Sequence, residues 1–275
     1  MTFTMGPSLL FCPADRADRY NKAAERADAV ILDLEDAVAA GDKEAARAEL
    51  LAHVRSGAPL EAERTIVRVN PCGTEEFAKD LSVLAGTPYR TIMVAKAEDP
   101  AQIAELKDFR VIALCETASG IINAPAIAAL PHVVALMWGA EDLVASLGGT
   151  SSRKADGSYR HVAQHARSQV LLAAGAYGKS AIDAVYVNIA DLAGLAAESE
   201  DAVASGFFAK ACIHPSQAGT IRNAYAPSAD SIAEARALLA AAAEAGSGVF
   251  QYQGKMIDEP ILKHAQATLL RAGEL

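Results

Sequence analysis

The stretch AVILDLED, residues 29–36, opens on four consecutive apolar residues and closes with Asp33, Glu35 and Asp36. An apolar run that does not alternate reads as a strand covered on both faces, because neither face meets water. Similar short runs recur at Leu9–Cys12, Thr65–Val69, Thr91–Ala95, Val111–Cys115, Val133–Met137, Ala184–Val187 and Lys210–Ile213. Ala-rich, helix-like segments separate them, among them Asp42–Val54, Pro125–Leu130, His161–Ala176 and Ala190–Ser205. Eight such β units predict closure into a (β/α)8 TIM barrel, and 275 residues suit a fold that typically takes about 250. An open doubly wound sheet is the rival, but neither G-x-G-x-x-G nor G-x-x-x-x-G-K-[ST] occurs.

The barrel is expected over residues 1–228. Residues 229–275 form a C-terminal extension: a strong helix at Ser231–Ala245, a turn at Gly246-Ser247-Gly248, a hairpin in VFQYQGKMIDEP and a last helix at Ile261–Ala272. A barrel closes without it, so a lid or an oligomer contact is the expected role. The polar loop Gly148–Tyr159 is expected at the active face, and mobile.

Composition narrows the function. An apolar share of 52% excludes a disordered chain, and no apolar run approaches the roughly 18 residues of a membrane-spanning helix. A net charge of −9 without a basic run argues against nucleic-acid binding. The opening MTFTMGPS has no cationic, then apolar, leader pattern. Cys12, Cys72, Cys115 and Cys212 form no C-x-x-C, and three of them sit in apolar runs. Reduced thiols in a cytoplasm are therefore expected.

Strand C-termini face the active site of a barrel. Here they carry Asp33, Glu35 and Asp36; Arg68 and Asn70; Lys96 and Glu98; Glu116; Glu141 and Asp142; and His214. So many carboxylates cannot all ionise together uncompensated. A divalent cation is one compensation, and hard oxygen ligands favour Mg2+, with Glu116 and Asp142 as plausible ligands from neighbouring strands. Ion pairing with Arg68 and Lys96, closing the barrel mouth, is the other. Lys96 amid carboxylates should stay protonated, which argues against a Schiff base. His214-Pro215 reads equally as a rigid turn or a base. His161 and His165 lack an H-E-x-x-H, and no G-x-S-x-G occurs.

In this order the strand-end motifs are familiar. The chain resembles the citrate lyase β-subunit-like and malyl-CoA lyase family, and in particular its stand-alone members, through LLFCPADRADRYNKA, VILDLEDAV, RVN, AKAE, ALCETASG, MWGAEDL, ACIHPSQ and GKMIDEP. The resemblance implies a barrel, usually trimeric, and a Mg2+-dependent carbon–carbon lyase that cleaves or forms a 3-hydroxyacyl-CoA. The candidates are malyl-, citramalyl-, citryl- and hydroxymethylglutaryl-CoA. It implies Glu116 and Asp142 as metal ligands, Glu116 also lying against substrate, and Arg68 on the substrate's carboxylate or enolate oxygen. Glu35 and Asp36 would orient Arg68 and metal-bound water. Asp258 would be an acid/base delivered by the adjacent subunit, and Arg16, Arg19 and Lys22 a patch for the CoA phosphates. An acyl-carrier thioester inside a citrate lyase complex, or a CoA-independent oxo-acid aldolase, is the alternative.

Overall fold

The computed structural model describes residues 3–246 and 248–274. The chain divides into two compact units, residues 1–221 and 222–275. In the first, eight parallel strands close a barrel in sequence order. They are β1 (Ser8–Pro13), β2 (Ala29–Asp33), β3 (Thr65–Val69), β4 (Thr91–Val94), β5 (Arg110–Cys115), β6 (Val133–Trp138), β7 (Ser180–Asp183) and β8 (Ala209–Cys212). Closure runs through β1 and β8, with Leu9 opposite Ala211 and Leu10 opposite Cys212. The surrounding helices are α1 (Tyr20–Arg26), α2 (Lys43–Arg55), α3 (Glu75–Leu84), α4 (Pro100–Ala104), α5 (Ala118–Ala128), α6 (Ala140–Ser146), α7 (His161–Ala176), α8 (Leu192–Ser205) and α9 (Pro215–Tyr225).

The barrel interior is filled by Leu9, Ile31, Ile66, Met93, Ile112, Leu114, Met137, Ile182 and Ala211, all buried. Side chains on a strand alternate with period two. Asp33, Arg68, Glu116 and Gly139 stand two positions beyond Ile31, Ile66, Leu114 and Met137, so they form the next interior layer, at the C-terminal mouth.

Two elements depart from the sequence expectation. The seventh strand lies at Ser180–Asp183, just before the expected Ala184–Val187. Asp183 made this segment look unlike a buried strand. Its side chain points outward, between barrel and helices, where it is fully buried and paired. Lys210 Nζ lies 2.9 Å from Asp183 Oδ2, Arg167 Nε 2.9 Å from Oδ1, and the Trp138 indole donates to Oδ1 at 2.7 Å. Lys210 Nζ also meets Glu198 at 2.9 Å. The second departure is α5, which begins at Ala118 with Pro125 inside it. Thr117 starts it by accepting from the Gly120 N–H at 3.1 Å, whereas sequence reading took Pro125 as the helix start. The loop 148–159 is held rather than loose: Arg153 stacks on Tyr159 at 3.8 Å and pairs with Glu198 at 2.8 Å.

The second unit contains α10 (Ala229–Ala245), a hairpin of β9 (Phe250–Tyr252) and β10 (Lys255–Ile257), and α11 (Glu259–Arg271). Leu238, Ile257, Ala265 and Leu269 form its small core. The hairpin turns through Gln253 and Gly254 at φ 48° and 78°, the left-handed pair a two-residue turn requires. Gly246 ends α10 in the left-handed region; Ser247 of the expected turn lies outside the described residues. No described helix is long and apolar enough to cross a membrane.

Burial pushes the Asp183 carboxyl up, but the charges of Lys210 and Arg167 outweigh it and hold it below the usual carboxylate range. A depressed folded-state pKa means the stabilisation is complete above the unfolded value, near 4, and is lost as pH falls through the folded one. Asp183→Asn should therefore lower unfolding free energy at pH 7 by on the order of 3–5 kcal/mol, because it strips a buried cation of one partner. Urea melts at pH 7 and pH 3 should show that difference shrinking in acid.

Candidate active site

Arg68 sits on β3, buried at 8% exposure, and is gripped from the adjacent β2. Its Nε donates to Asp33 Oδ1 at 2.7 Å and its Nη2 to Oδ2 at 2.5 Å, a two-pronged pair. Nη1 lies 3.1 Å from Glu35 Oε2, and the guanidinium lies 4.9 Å from the centre of the Phe11 ring. Burial would lower its pKa; the Asp33 hydrogen bonds and the surrounding carboxylates raise it instead. The cation is permanent and fixed in one orientation.

The loop that carries Glu35 is braced from behind. Lys43 Nζ donates to the carbonyls of Leu34 and Glu35 at 2.9 and 3.1 Å and to Asn70 Oδ1 at 2.7 Å. Asn70 Nδ2 donates to Leu34 O at 3.0 Å and to the buried Asp80 at 2.7 Å, and Asp80 in turn pairs with Arg47. The RVN motif thus ends in an asparagine that fastens two strand ends together.

Glu116, at the end of β5, is 3% exposed. Its Oε1 accepts the Lys96 backbone N–H at 3.1 Å. Burial first, and then the charge of Asp142, push its pKa up to about 8, against the pull of Arg68 and Lys96. Asp142 lies in the first turn of α6, directly after β6. The Lys96 ammonium spans the group: 2.5 Å to Glu35 Oε1, 3.2 Å to Asp36 Oδ2, 3.6 Å to Asp142 Oδ1 and 4.0 Å to Glu116 Oε1. Burial raises the Glu35 pKa despite Arg68 and Lys96. Asp36 is held low: burial opposes this, but the Lys96 hydrogen bond and charge prevail.

Beside this cluster lies a cavity of about 280 Å³, whose polar lining is Asp33, Asp36, Arg68, Glu116, Glu141 and Asp142. Phe11, Leu114, Met137, Val185 and Ile213 make its apolar lining. A groove of about 340 Å³ lies at the opposite end of β2 and β3, beside Asn21, Pro59 and Arg64. It is the larger, but its one arginine is committed to the backbone carbonyls of Ala24, Ala27 and Asp28. The chemistry-bearing groups therefore single out the mouth.

Arg68, Glu35, Asp36, Glu116 and Asp142 converge as the sequence led one to expect. Arg16, Arg19 and Lys22 follow β1 and lie outside the cavity wall; Arg16 pairs with Asp18 at 3.1 Å, while Arg19 and Lys22 are exposed. Asp258 belongs to the second unit, half-buried immediately before α11, and its side chain makes no capping bond to that helix. His214 is exposed and bonded to Ser216 at 2.8 Å, the turn reading of that motif. Cys115, next to Glu116, is driven up to about 12 by burial and then by the Glu116 charge, so it is no nucleophile. Sequence reading gave no role to Asp33, Lys43 or the brace through Asn70 and Asp80. The period-two offset from Ile31 was the available signal for Asp33.

A family model described as HpcH/HpaI aldolase/citrate lyase matches residues 7–215. The chain is 54% identical over 269 residues to a citrate lyase subunit beta-like protein of Mycobacterium tuberculosis, covering 98% of this chain and 96% of that one. It is 32% identical to human mitochondrial citramalyl-CoA lyase, covering 96% and 85%. Among solved structures, protein CitE from Mycobacterium tuberculosis in complex with magnesium, acetoacetate and coenzyme A superposes with a TM-score of 0.90 at 53% identity, covering 98% and 99%. The chain belongs to the HpcH/HpaI aldolase/citrate lyase family. It is accordingly a carbon–carbon lyase.

Gly139 separates Glu116 from the start of α6. A Cβ there would stand 2.8 Å from both Cβ and Oε2 of Glu116. Gly139→Ala should therefore displace the Glu116 carboxylate, lowering stability by about 1–3 kcal/mol from overpacking and cutting lyase kcat/KM by about tenfold or more. Thermal melts and steady-state kinetics check the two parts.

Proposed function

We propose that the chain is a magnesium-dependent lyase that cleaves, or in reverse forms, a 3-hydroxyacyl-CoA bearing a second carboxylate. The products are a shorter CoA thioester and an oxo acid; malyl-, citramalyl-, citryl- and hydroxymethylglutaryl-CoA are the candidate substrates. One observation carries the reading: Glu116 and Asp142, from neighbouring strand ends, reach the same cavity wall as a fixed guanidinium. The magnesium and coenzyme A of the CitE complex and the name of the human relative support it.

The residues present fit such an ion. Glu116 is buried beside a second acid, and burial first and then the Asp142 charge raise its pKa; a divalent cation would relieve both. Gly139 leaves clear the space next to its carboxylate. Among the described residues no three His, Cys, Asp or Glu side chains form a ligand group, so the protein's share would be the Glu116–Asp142 pair. That suits magnesium, which keeps waters and substrate oxygens in its shell. Bound there, it would supply Lewis acidity to the substrate's oxygens.

The remaining steps fall to the chain's own groups. Asp33 takes two of the five guanidinium N–H donors of Arg68 and Glu35 faces a third nitrogen, so the other donors are aimed and available. They hold the thioester oxygen on which negative charge grows as the Cα–Cβ bond breaks. Glu35, held by Arg68 and Lys96, keeps both cations in place. The apolar wall of Leu114, Met137 and Val185 strengthens these interactions by keeping water from the enolate. As the bond breaks, the 3-hydroxyl becomes the carbonyl of the oxo acid and gives its proton to water at the polar side of the mouth. The enolate carbon takes a proton from Asp258 of an adjacent subunit in a homotrimer, and the C-terminal unit serves as the lid that delivers it. Arg16, Arg19 and Lys22, on the segment after β1, meet the CoA phosphates. The setting is cytoplasmic.

Glu116→Ala and Asp142→Ala should each abolish Mg2+-dependent cleavage of a panel of CoA thioesters, followed by mass spectrometry of the released oxo acid, while circular dichroism stays native. Full activity in either variant removes the metal assignment. Activity on free oxo-acid aldols without CoA, or on acyl-carrier thioesters alone, would replace the substrate class.

Asp258→Ala and Arg68→Ala should each be inactive as purified. Mixed by reversible dissociation, they should regain activity, because some sites then combine an intact Arg68 with a neighbour's intact Asp258. Failure to recover while both remain oligomeric would place the acid within one chain.

A further inference from the structure

Lys96 meets no substrate atom in the mechanism above, yet its ammonium lies within 4.0 Å of four carboxylates of the charged mouth. Five carboxylates crowd there: Asp33, Glu35, Asp36, Glu116 and Asp142. Arg68 is committed to Asp33 and Glu35. Lys96 compensates the others, with its Nζ 3.2 Å from Asp36, 3.6 Å from Asp142 and 4.0 Å from Glu116.

The backbone shows that this placement is enforced. Lys96 has φ 47°, the left-handed region, which a residue with a Cβ enters only at a cost. Two attachments over-determine it: the N–H donates to Glu116 Oε1 at 3.1 Å, and the ammonium is tied to Glu35 at 2.5 Å. An extended residue at the end of β4 would be carried onward with the strand. The left-handed turn is what lets one residue reach Glu116 with its N–H and Glu35, Asp36 and Asp142 with its side chain.

We propose that Lys96 sets the affinity of the site for a divalent ion, because its ammonium competes with the metal for the carboxylates of Glu116 and Asp142. The proposal rests on the reading of those two residues as metal ligands. The ammonium lies 3.6 and 4.0 Å from the Asp142 and Glu116 carboxylates, and two cations sharing such partners in a partly buried site repel, so a metal held by the pair would be bound against Lys96. Lys96 is thus a positioning residue with two opposed effects. It keeps the acid cluster stable and the β2 loop docked, and it holds metal affinity below what two such carboxylates would otherwise provide. Its link to Glu35 and Asp36 offers the ammonium a second set of partners on the side of the mouth away from Asp142.

Titration of the full-length protein with Mn2+, following the free-ion EPR signal without substrate, tests this. Lys96→Gln should tighten Mn2+ binding by about tenfold or more, and Lys96→Met should do the same. Lys96→Arg, which keeps the charge, should stay within about threefold of wild type. Structural damage alone would loosen binding, so tightening in the neutral variants, with a native circular-dichroism spectrum, separates competition from support; Lys96→Met decides if Lys96→Gln does not fold. Glu116→Ala is titrated alongside. If it binds Mn2+ as wild type does, the metal assignment itself fails. If Glu116→Ala loses binding and the neutral Lys96 variants bind equally or more weakly than wild type, this inference alone is overturned. Absence of binding in wild type and all Lys96 variants also counts against it.

Discussion

The two-pronged contact between Arg68 and Asp33 is the constraint on which the mouth of the barrel depends. Both residues stand in the interior layer directly above the apolar core, on paired strands whose register sets them side by side. A guanidinium placed there without Asp33 would be a buried charge with no matching acceptor, which a fold tolerates poorly. With Asp33 it becomes a fixed cation around which further acids can gather. Glu35 joins it, Lys96 joins Glu35, and Glu116 and Asp142 complete the ring.

The cluster is held from outside as well as inside. Lys43 and Asn70 fasten the segment after β2 by its backbone carbonyls, and Asp80 and Arg47 anchor Asn70 in turn. On the far side of the barrel, the Asp183–Lys210–Glu198 network fills the space behind β7 and β8 and fixes Trp138 at the end of β6. Asp142 follows Trp138 by one short turn, so its placement inherits that order. Preorganised charge of this kind needs little rearrangement when negative charge develops on a ligand.

Much of this was legible before any coordinates. Continuous apolar runs identified seven of the eight strands nearly in place, because a strand covered on both faces has little room for polar residues. The seventh was missed because Asp183 ends it. A charge that finds two cations and an indole is at home in a buried strand, but the partners lie on β8, α7 and β6, far away in sequence. Pro125 misled for a related reason: as a local signal it marks a helix start, while Thr117 capping Gly120 had already begun the helix. The candidate site was readable as a list of strand-end residues, and Arg68, Glu116 and Asp142 stood out by type. Asp33 was among them, but its residue type did not mark it, rather than Glu35 or Asp36, as the main partner of Arg68; its offset from Ile31, which points it into the barrel, is the signal.

What the chain alone determined is the class of architecture and the chemical character of one end of it. Hydrophobic periodicity is a local property, and in a barrel the ends of the strands share a face by topology. The tertiary structure decided which acid meets which base. Whether Arg68 takes Asp33 or Asp36, whether Lys96 lies beside Glu116 or clear of it, and whether a neighbouring glycine leaves room for a carboxylate depend on strand register and on the left-handed turn at Lys96. Distances of 3 to 4 Å between residues twenty to sixty positions apart arise only when the barrel closes, and electrostatic energy depends on those distances rather than on residue type.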